Sequence, residues 1–174
     1  MANTLILTFV ARDRPGVVEQ LSEIVTANNG NWLESRMAHL AESFAGVARI
    51  SVPDARIDAL KAQLAAIDGK DIQVTLSDAG ADTKAATGAL LNLDLIGPDH
   101  PGIVFELTHT MAGLGVSVEE METRIEGAPV GGGMLFHARA RVRLPDTLSE
   151  EDFREALEAS ASSLMVDINL DDDY

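Results

Sequence analysis

The chain has 174 residues, 46% hydrophobic and 24% charged, a composition that suits one ordinary folded domain or two small ones. Its 13 Lys and Arg stand against 28 Asp and Glu, a formal net charge of −15, which argues against direct contact with nucleic-acid phosphates or anionic lipid. The absence of cysteine removes disulfides, thiolate chemistry and the common structural zinc sites; Met1 to Leu5 shows no basic-then-apolar leader and no apolar run nears the roughly 20 residues of a membrane span, so a cytoplasmic protein is expected.

An internal repeat organises the rest. Asp13, Pro15 and Gly16 return as Asp99, Pro101 and Gly102, 86 positions on (99 minus 13). At that spacing Leu5, Leu7, Val18, Leu21 and Glu34 meet Leu91, Leu93, Val104, Leu107 and Glu120, a correspondence that duplication explains.

In chain order, a short apolar strand at 5–10 leads into the turn Ala11 to Val17. Val17, Val18, Leu21, Ile24 and Val25 follow at the spacing of one buried helix face, with Pro15 suited to the first turn. Asn29-Gly30 ends that helix, and two strands, 31–39 and 44–52, come next. After Pro53-Asp54 a second helix carries Ile57, Leu60, Leu64 and Ile67, and Ile72, Val74 and Leu76 alternate as a closing strand.

The second copy repeats this order. A strand at 90–96 precedes the turn Gly97 to Ile103 and a helix with Ile103, Val104, Leu107, Met111 and Leu114. Strands follow at 116–126 and 134–144, then a helix capped around Thr147 to Glu150 with Phe153, Leu157 and Leu164, then Val166, Ile168 and Leu170. The expected fold is therefore α+β: two ferredoxin-like βαββαβ units, each an antiparallel sheet with both helices on one face. Residues 1–78 form the first unit, 79–88 a polar linker and 89–171 the second.

The two turns are the most informative segments. In Asp13-Arg14-Pro15-Gly16-Val17 and Asp99-His100-Pro101-Gly102-Ile103, glycine admits close approach to the backbone, and the helix start offers unpaired N–H groups to a carboxylate. An aspartate could receive a protonated amine, and could equally serve as a helix cap.

These segments resemble the ACT domain family, small regulatory modules of βαββαβ fold that typically bind amino acids at domain interfaces. The match spans almost the whole chain. Asp13 to Val18, with Asn31 to Met37 on the next strand, is similar to the tandem-ACT transcriptional repressors of the glycine cleavage system. The resemblance implies a ligand at Asp13 to Val17 with Asn31, and at Asp99 to Ile103 with Ser117. It also implies a small amino acid effector, glycine among the candidates, and a protein partner such as a DNA-binding activator, since −15 net charge disfavours direct repression on DNA. A homodimer is expected, with no cofactor. His100 in place of Arg14 and Ser117 in place of Asn31 set the second copy apart.

Other features invite plainer readings. Arg139, Arg141 and Arg143 share one strand face and are expected to pair with Glu120, Glu122 and Glu126 on the neighbouring strand. His39, His100, His109 and His137 lack metal-site spacing. Gly127 to Gly133 reads as a hairpin tip or a flap, and Asp171 to Asp173 before Tyr174 as a solubilising tail. No nucleophile and base pair is legible, so an enzyme is not expected; the alternatives are a ligand-free dimerisation scaffold and an acyl-phosphate hydrolase in which Arg14 would hold phosphate.

Overall fold

The computed structural model describes residues 2–69, 71–80, 87–129 and 132–172, the side chains of 163, 164 and 172 excepted. The chain divides into two compact units, 1–84 and 85–174, each with its own core.

In the first unit β1 (Ala2–Arg12) turns its odd positions Leu5, Leu7, Phe9 and Ala11 into the core, as a half-buried strand does. Helix α1 (Val17–Ala27) lays Val17, Leu21 and Val25 on that face. Strands β2 (Asn31–Leu40) and β3 (Ser43–Pro53) form a hairpin, a single 3-10 turn at Asp54–Arg56 leads into α2 (Ile57–Ile67), and β4 (Ile72–Asp78) closes the unit. The sheet order is β2-β3-β1-β4, with every neighbouring pair antiparallel. Leu60 and Leu64 of α2 join the same core as α1 and the inward residues of β3, Ala48, Ile50 and Val52, so both helices cover one sheet face.

The second unit repeats this with β5 (Leu90–Pro98), α3 (Ile103–Gly113), β6 (Ser117–Gly127), β7 (Met134–Arg143), α4 (Glu150–Leu164) and β8 (Asp167–Asp172), in the order β6-β7-β5-β8. The βαββαβ order occurs twice and the fold is α+β.

Several expectations are corrected in detail. The 86-residue spacing survives only to the β2–β3 hairpin. Asn31 pairs with Ser51 and Ser117 with Arg143, so β3 and β7 correspond at 92 (143 minus 51). The connection from Gly127 to Met134 is longer than the one from Leu40 to Ser43, and this inserts the extra residues. Pro15 and Pro101 are not first helical residues; α1 and α3 begin at Val17 and Ile103, behind left-handed glycine caps at Gly16 (φ 89) and Gly102 (φ 100). Val18 and Val104 lie on the exposed flank of their helices, and Met134, whose alternation with Phe136, Ala138, Ala140 and Val142 predicts a place facing the helices, is exposed at the hairpin end of β7. The acidic run is partly strand, since β8 extends through Asp172; residues 173 and 174 lie outside the described residues. So does the side chain of Leu164, and Ala161 is buried one turn earlier.

Ends of the joining segment are tied to their own units. Ala79 N–H donates to Thr4 O at 3.1 Å, and Thr87 Oγ1 donates to Asp146 at 2.8 Å. Among the described residues no helix is long and apolar enough to cross a membrane.

Candidate functional site

The Asp13–Gly16 turn sits where β1 hands over to α1. Gly16 holds φ 89, ψ 2 as the residue before the helix, and no side chain caps the helix there. The first helical bond runs from Gln20 N–H to Gly16 O at 2.9 Å, leaving the N–H groups of the first turn pointing outward with the positive end of the helix dipole. The aspartate therefore does not act as a cap. Asp13 N–H instead donates to Glu42 O at 3.0 Å, and its carboxylate Oδ2 faces His39 Nε2 at 3.2 Å. Arg14 folds back over α1, donating through Nη2 to Gln20 Oε1 at 2.9 Å.

These groups border an open depression of about 320 Å³, lined by Asp13, Arg14, Gly16, Val17 to Glu19, and Phe44. Its chemistry is mixed. Two carboxylates, Asp13 and Glu19, suit a protonated amine; Arg14 and the uncapped N–H groups suit a carboxylate; Phe44 and Val18 supply apolar wall. Glu19 approaches closely, its Oε2 lying 3.7 Å from where a Cβ on Gly16 would stand, so an incoming carboxylate must share the helix end with it.

The second unit reproduces the backbone and changes the side chains. Asp99 N–H donates to Met134 O at 2.9 Å and Glu106 N–H to Gly102 O at 2.9 Å. Gly102 is again a left-handed N-cap without a side-chain cap, and Ile103 opens the buried stripe. His100, which stands where the first copy has Arg14, lies with its Nδ1 3.2 Å from Pro101 O.

Asn31 and Ser117 are not brought to these turns within their own units. Asn31 stands opposite Ser51, which stands opposite Thr4, whereas the turn follows Arg12. From Thr4 to Arg12 along a strand is roughly 26 Å at 3.3 Å per residue. Ser117 is separated in the same way, paired with Arg143 opposite Leu90 while Asp99 follows Pro98. The cause is topological: α1 and α3 carry the chain back along the sheet, so β2 and β6 start at the end where β1 and β5 start. Five residues that do reach the first turn, Glu19, Gln20, His39, Glu42 and Phe44, carry no signal for it in the sequence pattern. The signal that could have found three of them is the same topology, which returns the β2–β3 hairpin tip to the end of β1.

The arginine row is ion-paired with a changed set of partners. Arg139 Nε donates to Asp94 at 2.8 Å, Arg141 Nη2 to Glu120 at 2.8 Å and Arg143 Nε to Glu119 at 2.8 Å. Glu126 takes His137 at 2.7 Å. Only Glu120 has the expected role, because an irregularity between Val118 and Glu120 turns Glu119 to the arginine side. Of the Gly127 to Gly133 hairpin tip, Val130 and Gly131 lie outside the described residues; Ala128 N–H donates to Gly133 O at 2.9 Å. Among the described residues no three His, Asp or Glu gather as a metal site.

Residues 3–76 match the ACT domain family, and the second unit repeats the same order of elements and strands. This is a tandem ACT fold. The crystal structure of an unknown protein from Galdieria sulphuraria is similar over 100% of both chains, at 27% identity and a TM-score of 0.83. A second, of a candidate glycine cleavage system transcriptional repressor, is similar over 98% of this chain and 97% of that one, at 17% identity and a TM-score of 0.72. No curated protein matches the sequence. Both ACT units thus carry the uncapped glycine turn, and the first adds a mixed-charge depression beside it.

Proposed function

We propose that this protein is a cytoplasmic regulator, not an enzyme, that senses a small amino acid at its ACT units. The observation that carries the reading is the Asp13–Gly16 turn: an uncapped helix start on a left-handed glycine, opening on a depression that offers both charge signs a zwitterion needs. Its amine would lie between Asp13 and Glu19, and its carboxylate on the first-turn N–H groups and Arg14, with Pro15 and Val17 shaping the backbone. Glycine is the first effector to test, because the depression is shallow and one structural relative is named for the glycine cleavage system. The turn Asp99, His100, Pro101, Gly102, Ile103 is the second candidate.

If Asn31 and Ser117 contribute, they do so from another ACT unit, since their own sheets hold them a strand's length away. A shared site of that kind requires assembly, and a homodimer is the form in which we expect the protein to act, with 1–78 and 89–171 as the ACT domains and 79–88 joining them. Regulation of transcription would pass through a protein partner, because a −15 chain is repelled by DNA.

Thermal unfolding with each amino acid in turn tests the reading, since a ligand that binds only the folded state raises its apparent stability. Calorimetric titration then compares wild type with Asp13→Asn and Gly102→Ala. Asp13→Asn should weaken binding by roughly tenfold or more, an amount worth about 1.4 kcal/mol. Its own stability should change little, because its pair with His39 is solvent-exposed and such pairs contribute about 0–1 kcal/mol. No thermal response to any amino acid at millimolar concentration would favour a ligand-free scaffold.

A further inference from the structure

The first ACT unit has a second hollow, on the sheet face that its helices leave bare. Along β1 the odd positions are buried, so Val10 and Arg12 stand on the opposite face. Residues directly opposite in an antiparallel pair point to the same side. Ser43 of β3 is opposite Arg12 and Gln73 of β4 is opposite Val10, so these side chains share that face. One step past the β1–β4 pairing, Arg12 N–H donates to Asp71 O at 3.0 Å, which carries the register on and sets Asp71 beside Arg12 on the same side. Together with Gly69 these residues border an open hollow of about 340 Å³. It shares no lining residue with the depression at the Asp13–Gly16 turn.

The second unit keeps the backbone positions and none of these side chains. β1 and β5 correspond at 86 and β3 and β7 at 92, which sets Pro98 in the place of Arg12 and Leu135 in the place of Ser43. Ile96 pairs with Asp167 as Val10 pairs with Gln73, so β4 and β8 correspond at 94 (167 minus 73), and Met165 takes the place of Asp71. Proline has no N–H to donate, and neither leucine nor methionine has a hydrogen-bond donor in its side chain. A guanidinium, a hydroxyl, a carboxamide and a carboxylate therefore converge in one copy at positions where the other has Pro98, Leu135, Asp167 and Met165. The fold makes the same demands on both copies, so the fold does not account for the polar set.

Charge decides the class of ligand. Among the described residues neither the Arg12 nor the Asp71 side chain is in an ion pair, although they stand side by side. A guanidinium matches a carboxylate with two parallel N–H bonds; Ser43 and Gln73 can donate to the same anion, whereas an ionised aspartate only accepts. We infer that this hollow binds a small carboxylate that bears a hydrogen-bond donor. Its carboxylate lies on Arg12 and Ser43, its hydroxyl or amine on Asp71, and Gln73 and Val10 form the floor. The site is separate from the Asp13–Gly16 turn and does not depend on whether that turn takes a ligand.

Backbone amide shifts of the full chain, followed by NMR through titrations with glycolate, glycine and acetate, test it. Glycolate or glycine should produce saturable shifts at Ser43, Gly69, Asp71 and Gln73, and the tighter of the two names the donor as hydroxyl or amine. Acetate has no donor for Asp71 and should bind at least about tenfold more weakly, the loss of one charge-assisted hydrogen bond. Arg12→Gln should weaken binding by roughly tenfold or more, with an unchanged circular dichroism spectrum because the side chain is exposed. Ser43→Leu, which installs the residue of the second unit, should weaken it as well. Lys61→Gln removes an exposed cation from α2, on the other side of the sheet, and should leave binding unaltered. No saturable shift at those four amides with any of the three acids would overturn the inference. So would equal affinity of wild type and Arg12→Gln, or acetate binding as tightly as glycolate and glycine. Shifts of Gly16 to Glu19 report the other site in the same spectra, so the two proposals fail separately.

Discussion

At Gly16 the chain needs a left-handed residue, and a Cβ there would meet nothing nearer than the Glu19 carboxylate at 3.7 Å. Conformation, not crowding, is what requires glycine. Gly16→Ala should therefore cost about 1–2 kcal/mol, the penalty of holding an L-residue at positive φ, read as a lower urea midpoint with an unchanged slope. Gly16→Val should cost more, because a β-branched residue tolerates that region worst. Gly88 is a different case: it combines φ +116 with a Cβ position that falls on the Leu144 carbonyl. Gly88→Ala must displace backbone and should destabilise its unit more than Gly16→Ala destabilises the other. The Asp-x-Pro-Gly turns are legible in the sequence because they recur. A cap at Asp13 is not, since no side chain caps α1 and a cap bond depends on a backbone path that residue types alone do not specify.

Among the elements, periodicity was legible wherever one face is buried. Val17, Leu21 and Val25, like Leu60 and Leu64, recur at helix spacing and are buried as expected. What periodicity could not show is the length of a hairpin or the irregularity between Val118 and Glu120, and those two features moved the repeat register and the partners of Arg143. Asn28, the residue ending α1, is only 1% exposed; its Nδ2 donates to Ile24 O at 2.8 Å and to Gln63 Oε1 on α2 at 2.9 Å. Asn28→Leu should leave those acceptors unmet and cost about 1–3 kcal/mol, measured by chemical denaturation. Ser149 accepts from Asp152 N–H at 3.1 Å as the cap of α4, so Ser149→Ala should cost about 1 kcal/mol. Arg139→Ala, by contrast, should change stability by less than about 1 kcal/mol, because the pair with Asp94 is largely exposed and solvent screens it.

For the whole molecule, −15 net charge means that self-repulsion opposes the folded state. Raising salt from low to moderate concentration should raise the unfolding temperature, since screening weakens that repulsion; a fall would mean that the ion pairs of the second sheet outweigh it. Tandem duplication is readable in the sequence because Leu7 and Leu93, or Gly16 and Gly102, keep one spacing over the first three elements of each unit. The separation of Asn31 from its own turn was not readable, because it follows from the direction in which α1 returns the chain.

Backbone amide chemical shifts followed by NMR through a titration with glycine, and then with the other small amino acids, test the central claim most directly. Binding at the uncapped helix start should move the amides of Asp13, Arg14 and Gly16 to Glu19, together with His39 and Phe44 across the depression. Saturable shifts confined to other residues, or no saturable shift with any amino acid, would contradict it.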